Sequence, residues 1–94
     1  MTVLQIEHRI QNFDSWKKAF DSDPINRKES RTRRYRIYQP TNDSQYIIID
    51  LEFDNVSDAE AALVKLQNLW SKVEGTVAFG PKARMLQLKD KLEY

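Results

Sequence analysis

The chain has 94 residues, 40% of them hydrophobic, and 15 basic against 14 acidic side chains give a net charge of +1. That length is one domain, residues 1–94, with a thin core, and the near balance of charge excludes a global field drawing it onto nucleic acid or anionic lipid. The absence of cysteine excludes a disulfide framework, a thiolate nucleophile and any Cys-ligated metal.

The opening residues Met1 to Gln5 lack the basic and apolar regions of a secretory leader, and no run approaches about 18 uninterrupted apolar residues. A soluble, cytoplasmic protein without a membrane partner is therefore expected. Leu4, Ile6, His8 and Ile10 alternate with Gln5, Glu7 and Arg9, a period of two that predicts a strand over residues 3–10 with one buried face. Asn12 suits a helix cap, and Phe13, Trp16 and Phe20 follow at i, i+3 and i+7. Pro24 suits a fresh helical start, so residues 24–30 read as a short extra helical turn carrying Arg27.

Residues 31–39 and 45–53 are rich in aromatic and β-branched side chains, with the turn formers Pro40 to Ser44 between them, which predicts a hairpin. Centring its turn on Asn42 sets Tyr38 opposite Tyr46, Arg36 opposite Ile48 and Arg34 opposite Asp50. Tyr35, Ile37, Ile47, Ile49, Leu51 and Phe53 then share the other face. Ser57 followed by Glu60 is a capping box, and Ala59, Ala62, Leu63, Leu66, Leu69, Trp70 and Val73 continue at helical spacing until Gly75. Gly80-Pro81 breaks the chain before a last strand from Ala83 to Lys89.

The order β-α-β-β-α-β, joined by short right-handed connections, predicts a ferredoxin-like α+β fold: a four-stranded antiparallel sheet, order 4-1-3-2, with both helices on one face. The uncovered face carries Val3, Gln5, Glu7, Arg9, Arg34, Arg36, Tyr38, Tyr46, Ile48, Asp50 and Glu52. It mixes apolar rungs with charges of both signs. Covering it with a second copy, sheet against sheet, is the expected solution, making the protein a homodimer.

At this point the residues resemble a known group. Glu7-His8-Arg9-Ile10, Asn12-Phe13, Trp16-Lys17, Phe20-Asp21 and Arg27 are similar to the opening of the dimeric α/β-barrel superfamily. Asn42-Asp43 at the hairpin tip, Leu51-Glu52-Phe53-Asp54, Ala59 to Ala62 and Gly80-Pro81 match later features in order. That superfamily includes cofactor-free monooxygenases of antibiotic biosynthesis and polyketide cyclases, so the resemblance implies a dimeric barrel and no cofactor. Two departures stand out: Asn12 where the pattern has Asp, and Ser30 where it has Gly. The helical Asn, Trp and His set of haem-degrading relatives is missing.

His8 is the sole histidine and falls on the helix-facing side of its strand, so it suits a general base or a ligand hydrogen bond as well as a buried, satisfied core histidine. Trp16, Phe13 and Phe20 offer an aromatic wall or plain core packing. Arg27 offers forked donors for a carboxylate or phenolate, or simple surface solvation. The basic run Arg27, Lys28, Arg31, Arg33, Arg34 and Arg36 evokes RNA binding, but Gln5, Glu7, Asp50 and Glu52 on the central strands repel phosphate. Pairing with Asp50, Glu52, Asp54, Asp58 and Glu60 is the preferred reading, without nucleic acid. One histidine and no cysteine leave no metal site beyond carboxylates, and two glycines make no phosphate cradle.

These observations converge on a pocket between sheet and helices lined by His8, Trp16, Phe20, Tyr35 and Leu66, with Arg27 or Arg33 at its mouth. It suits a flat aromatic or polyketide-like molecule bearing an oxygen anion or carbonyl, with cofactor-free oxygenation or cyclisation as the chemistry and His8 as its catalytic residue. The alternative is a structural or interaction module whose aromatics are all core.

Overall fold

In the computed structural model, which describes residues 1–73 and 79–94, the elements are β1 (Thr2–Arg9), α1 (Phe13–Asp21), β2 (Arg34–Tyr38), β3 (Tyr46–Phe53), α2 (Val56–Val73) and β4 (Phe79–Gln87). The strands form one sheet in the order β2-β3-β1-β4, which is the expected order read from the opposite edge. Every pairing is antiparallel. This is the ferredoxin-like arrangement.

Alternation does what the pattern in β1 dictates. Thr2, Leu4, Ile6 and His8 are buried while Val3, Gln5 and Glu7 are half-buried. Opposite them, Ile47, Ile49, Leu51 and Phe53 of β3 turn to the same side and are at most 4% exposed. Ala59 and Ala62 on α2 are fully buried, and their small side chains let the helix backbone approach this floor closely. Further along α2, Leu66 is buried, and Leu63 and Trp70 pack partly buried against the core. On α1, Trp16 is the buried residue.

The caps differ between the two helices. Asn12 Oδ1 accepts from the Ser15 amide at 2.8 Å, satisfying an amide the first turn of α1 leaves without a partner. In α2 the cap is Asn55, whose Oδ1 accepts from the Asp58 amide at 2.9 Å, so the expected Ser57 box gives way to an earlier start. Ser57 lies inside the helix. The expected stop at Gly75 lies outside the described residues.

Three other expectations are corrected. The hairpin register is Arg34 opposite Glu52, Arg36 opposite Asp50 and Tyr38 opposite Ile48, two residues from the expected pairing. Asp43 causes the shift. Its carboxylate accepts from the Gln45 amide at 2.9 Å and pairs with Arg9 at 3.1 Å, so the turn centres on Asp43. A slip of two keeps every side chain on its face, which is why the partition of residues survives. Residues 24–30 form a chain of turns instead of a helical turn, because Asp23 and Asn26 hold φ of 55° and 51°, left-handed values that Asp and Asn tolerate and a right-handed helix excludes. Finally, β4 starts at Phe79, and Gly80-Pro81 lies inside it: the pairing with β1 shifts between Glu7 and Arg9, and Gly80 sits at φ 61°. The dipeptide is an edge-strand bulge, a place where both residues are tolerated.

The open face is wired by polar contacts. Gln5 Nε2 donates to Asp50 at 3.0 Å, Arg84 Nε donates to Gln5 Oε1 at 2.9 Å, and the Tyr46 hydroxyl donates to Glu7 at 2.8 Å. Arg34 meets Glu52 at 2.9 Å, and Glu52 is only 6% exposed. Acidic and amide groups of β1 and β3 thus meet Arg34 of β2 on one side and Arg84 of β4 on the other.

Candidate ligand-binding site

A cavity of about 230 Å³ lies between the sheet and the helices. Its floor is Ile6, His8, Ile49 and Leu51, and its far wall comes from Leu66, Leu69 and Trp70 of α2. Trp16, Ala19 and Phe20 of α1 close one side, and Ser22, Pro24, Ile25 and Arg27 of the following turns close another. The exposed members of this lining are Ser22 and Pro24, which mark the mouth.

His8 is 3% exposed. Its Nδ1 lies 3.0 Å from the Arg9 carbonyl oxygen, and because a carbonyl only accepts, Nδ1 carries the proton and Nε2 keeps a lone pair. No group among the described residues hydrogen-bonds Nε2. Burial pushes the imidazole below its ordinary pKa, against a smaller opposing effect of the Arg9 carbonyl. A neutral ring with a basic nitrogen therefore borders the cavity at neutral pH.

From His8 the aromatic rings run in sequence. The His8 and Trp16 centroids are 6.2 Å apart, Trp16 stacks on Phe20 at 5.1 Å, and Phe20 meets Tyr35 edge-on at 4.9 Å. Phe13 flanks Trp16 at 6.0 Å. Trp16 is 5% exposed, and its indole N–H has no hydrogen-bond partner among the described residues. At the far end the Arg27 guanidinium carbon lies 4.1 Å from the Phe20 ring centre and 5.2 Å from that of Tyr35. Arg27 Nη1 donates to the Phe20 carbonyl at 2.9 Å, and Asp23 flanks it at 3.4 Å.

Of the residues singled out in the sequence, His8, Trp16, Phe20, Arg27 and Leu66 meet around this cavity. Tyr35 does not line it; it stands behind Phe20 and is 41% exposed. Arg33 does not reach the mouth either. Its backbone N–H donates to the Glu52 carbonyl at 2.7 Å and its Nε to Asp54 at 3.0 Å, and that carboxylate raises the pKa of the guanidinium. Two more members of the basic run are engaged with carboxylates: Arg34 pairs with Glu52 and Arg31 approaches Asp58 at 3.9 Å. Ser30 is tied down too, donating to the Ile25 carbonyl at 2.7 Å and accepting from Lys65 at 2.9 Å.

Ile25, Pro24 and Trp70 were missing from the expected lining. A signal existed for Ile25, the only apolar residue besides Pro24 between Phe20 and Tyr35, since an isoleucine stranded in a polar loop needs somewhere to be buried. Trp70 follows Leu66 by one helical turn, so it shares that face.

Fold and cavity together define a class: a small ferredoxin-like protein whose sheet and helices enclose an aromatic-walled pocket. A point variant of SnoaB, a cofactor-independent oxygenase from Streptomyces nogalater, superposes with a TM-score of 0.74 at 6% identity over 99% of this chain and 97% of that one. An antibiotic biosynthesis monooxygenase superposes at 0.69 with 7% identity, covering 96% of this chain and all of the other. A dimeric ferredoxin-like protein from an uncultured marine organism gives 0.69 at 10% identity, over 99% and 92% of the two chains. No family model and no curated protein matches the sequence. At these identities the likeness is one of fold, and activity has to be argued from the residues.

Proposed function

We propose that the protein is a homodimer that binds a flat aromatic small molecule in the sheet–helix cavity and acts on it as a cofactor-free oxygenase or cyclase. The observation that carries this is the neutral His8 imidazole, its Nδ1 proton held by a carbonyl and its Nε2 without a partner among the described residues, on the wall of an apolar cavity. Such a nitrogen accepts a proton from a phenol or an activated ring carbon. In an oxygenation the resulting enolate supplies the electrons and dissolved dioxygen is the oxidant: one ring methylene and O₂ give a ring carbonyl and water. In a cyclisation the same enolate attacks a carbonyl carbon, and the proton held by His8 returns to the new alkoxide.

The dimer is part of the proposal. Tyr38 and Leu86 on the open face are 44% and 39% exposed, beside half-buried Val3 and Ile48, and the charges around them are largely paired within the subunit. A second copy covers these apolar groups without stranding a charge. The test is His8→Gln, assayed for oxygen consumption and product formation against a panel of quinols and polyketide-like substrates. Turnover falling by two orders of magnitude or more, the usual contribution of a general base at roughly 10²–10⁴-fold, is expected. Turnover unchanged from the parent removes His8 from the mechanism.

A further inference from the structure

The cavity has two chemically different ends, and the register of the sheet gives their separation. His8 pairs with Ile47 on β3, whereas Tyr35, over which Arg27 lies, pairs with Leu51. Four residues of strand separate those levels, about 13 Å at roughly 3.3 Å per residue. One end therefore holds a lone pair that takes a hydrogen bond, and the other holds a cation that gives several. Between them lie Trp16 and Phe20, stacked at 25° to one another.

Arg27 keeps donors in hand. Nη1 is engaged with the Phe20 carbonyl and approached by Asp23, while Nε and Nη2 have no partner among the described residues. The side chain is 17% exposed, so a ligand oxygen meeting it displaces little water. Phe20 and Tyr35 hold the guanidinium from the ring side, which fixes its orientation before any ligand arrives.

Volume sets the size. An apolar cavity of about 150 Å³ accommodates one benzene ring, so 230 Å³ takes one substituted ring or two fused rings, and a third fused ring exceeds it.

Resting on the proposed pocket function, we infer that the ligand is a mono- or bicyclic aromatic with a hydroxyl at one end, donated to His8 Nε2, and a carboxylate or conjugated carbonyl at the other, held by Arg27. A three-ring or larger ligand held at both ends overfills the space between them. The same layout explains why Arg27 serves here and Arg33 does not: Arg33 is spent on Asp54, outside the cavity.

The experiment is calorimetric titration of the unaltered protein with four probes: a hydroxynaphthoate bearing its two groups at opposite ends, the naphthol, the naphthoate, and a three-ring hydroxyanthracene carboxylate. The hydroxynaphthoate is expected to bind most tightly, and loss of its carboxylate to weaken binding by at least about tenfold, as for a hydrogen bond to a charged group. The three-ring acid is expected not to bind. Arg27→Gln then weakens binding of the hydroxynaphthoate at least about tenfold more than it weakens binding of the naphthol. This second readout requires a folded variant, and the ligand series requires none. If the naphthol and hydroxynaphthoate bind equally, or the three-ring acid binds as well as either, the two-ended inference is wrong while the pocket stands. If none of the four binds, the pocket function itself falls.

Discussion

Ala19→Leu tests whether the cavity is real space in the folded protein. Ala19 lies on α1 and lines the cavity, and both Ala and Leu are strong helix formers, so the exchange leaves the helix itself undisturbed. Leucine adds three carbons. At about 0.8 kcal/mol for each buried methylene the gross gain is about 2.4 kcal/mol, and fixing the leucine rotamer removes about 0.5–1 kcal/mol of it. The net is about 1.5 kcal/mol of added stability, and each kcal/mol raises Tm by about 4–8 °C in a domain of this size. Thermal unfolding followed by circular dichroism at fixed protein concentration measures it, since a dimer's Tm depends on concentration. The same variant should lose the Tm increase that an aromatic ligand gives the parent. A fall in Tm of several degrees refutes the reasoning, because it means the added carbons meet packed atoms; an undiminished response to ligand places the ligand elsewhere.

Other consequences follow from named contacts. The folded-state pKa of His8 lies below its ordinary value of 6.5, so above that value folded and unfolded forms are both neutral and His8 contributes no pH dependence. As pH falls below 6.5 the unfolded chain takes up the proton first and stability drops, levelling off below the folded pKa; His8→Gln should flatten this part of a denaturation-midpoint curve. Asn55→Ala should cost about 1 kcal/mol in urea unfolding and Ser57→Ala much less, since the Asp58 amide is satisfied by Asn55. Leu86→Asp should move the protein from dimer to monomer in analytical ultracentrifugation without loss of secondary structure, as an unpaired charge within a covered face is not tolerated; a monomeric parent would sink the proposed assembly.

How far the sequence could be read depended on whether a feature is set by periodicity or by single contacts. The alternation of Leu4, Ile6 and His8 against Gln5 and Glu7 fixes a face, and so does the spacing from Ala59 to Trp70, which is why the sheet order and the layer arrangement were legible. The hairpin register was not, because a slip of two preserves the alternation and only the Asp43 carboxylate, bonded to Gln45 and Arg9, decides between the two pairings. The start of α2 was misplaced for a related reason: the capping-box signature at Ser57 and Glu60 is conspicuous, but a lone Asn before Val56 starts the helix earlier by holding the Asp58 amide. Within the site, β1 and the first turns of α1 placed His8, Trp16 and Phe20 together by period alone. Tyr35 and Arg33 were misplaced relative to the cavity since their positions hinge on the left-handed backbone at Asp23, Asn26 and Arg31, which routes the chain past the mouth and brings Ile25 and Arg27 inward.

The cavity weighs most heavily between the two readings of this protein. On the mutational scale of about 24 cal/mol for each Å³ of enclosed void, a cavity of 230 Å³ open at its mouth forgoes at most about 5 kcal/mol of packing, still a large share of the stability of a modest domain at about 5–15 kcal/mol. A module selected only to fold has an inexpensive remedy in a larger residue at position 19 or 66. A binding protein has no such freedom, since the carbons that fill the space also remove the site. The chain keeps a half-buried alanine at the cavity wall while burying two others completely under α2, where close approach of helix and sheet is the requirement. The same residue type therefore serves two ends: tight packing at Ala59 and Ala62, and room at Ala19. It is room beside a neutral imidazole that a core alone does not need.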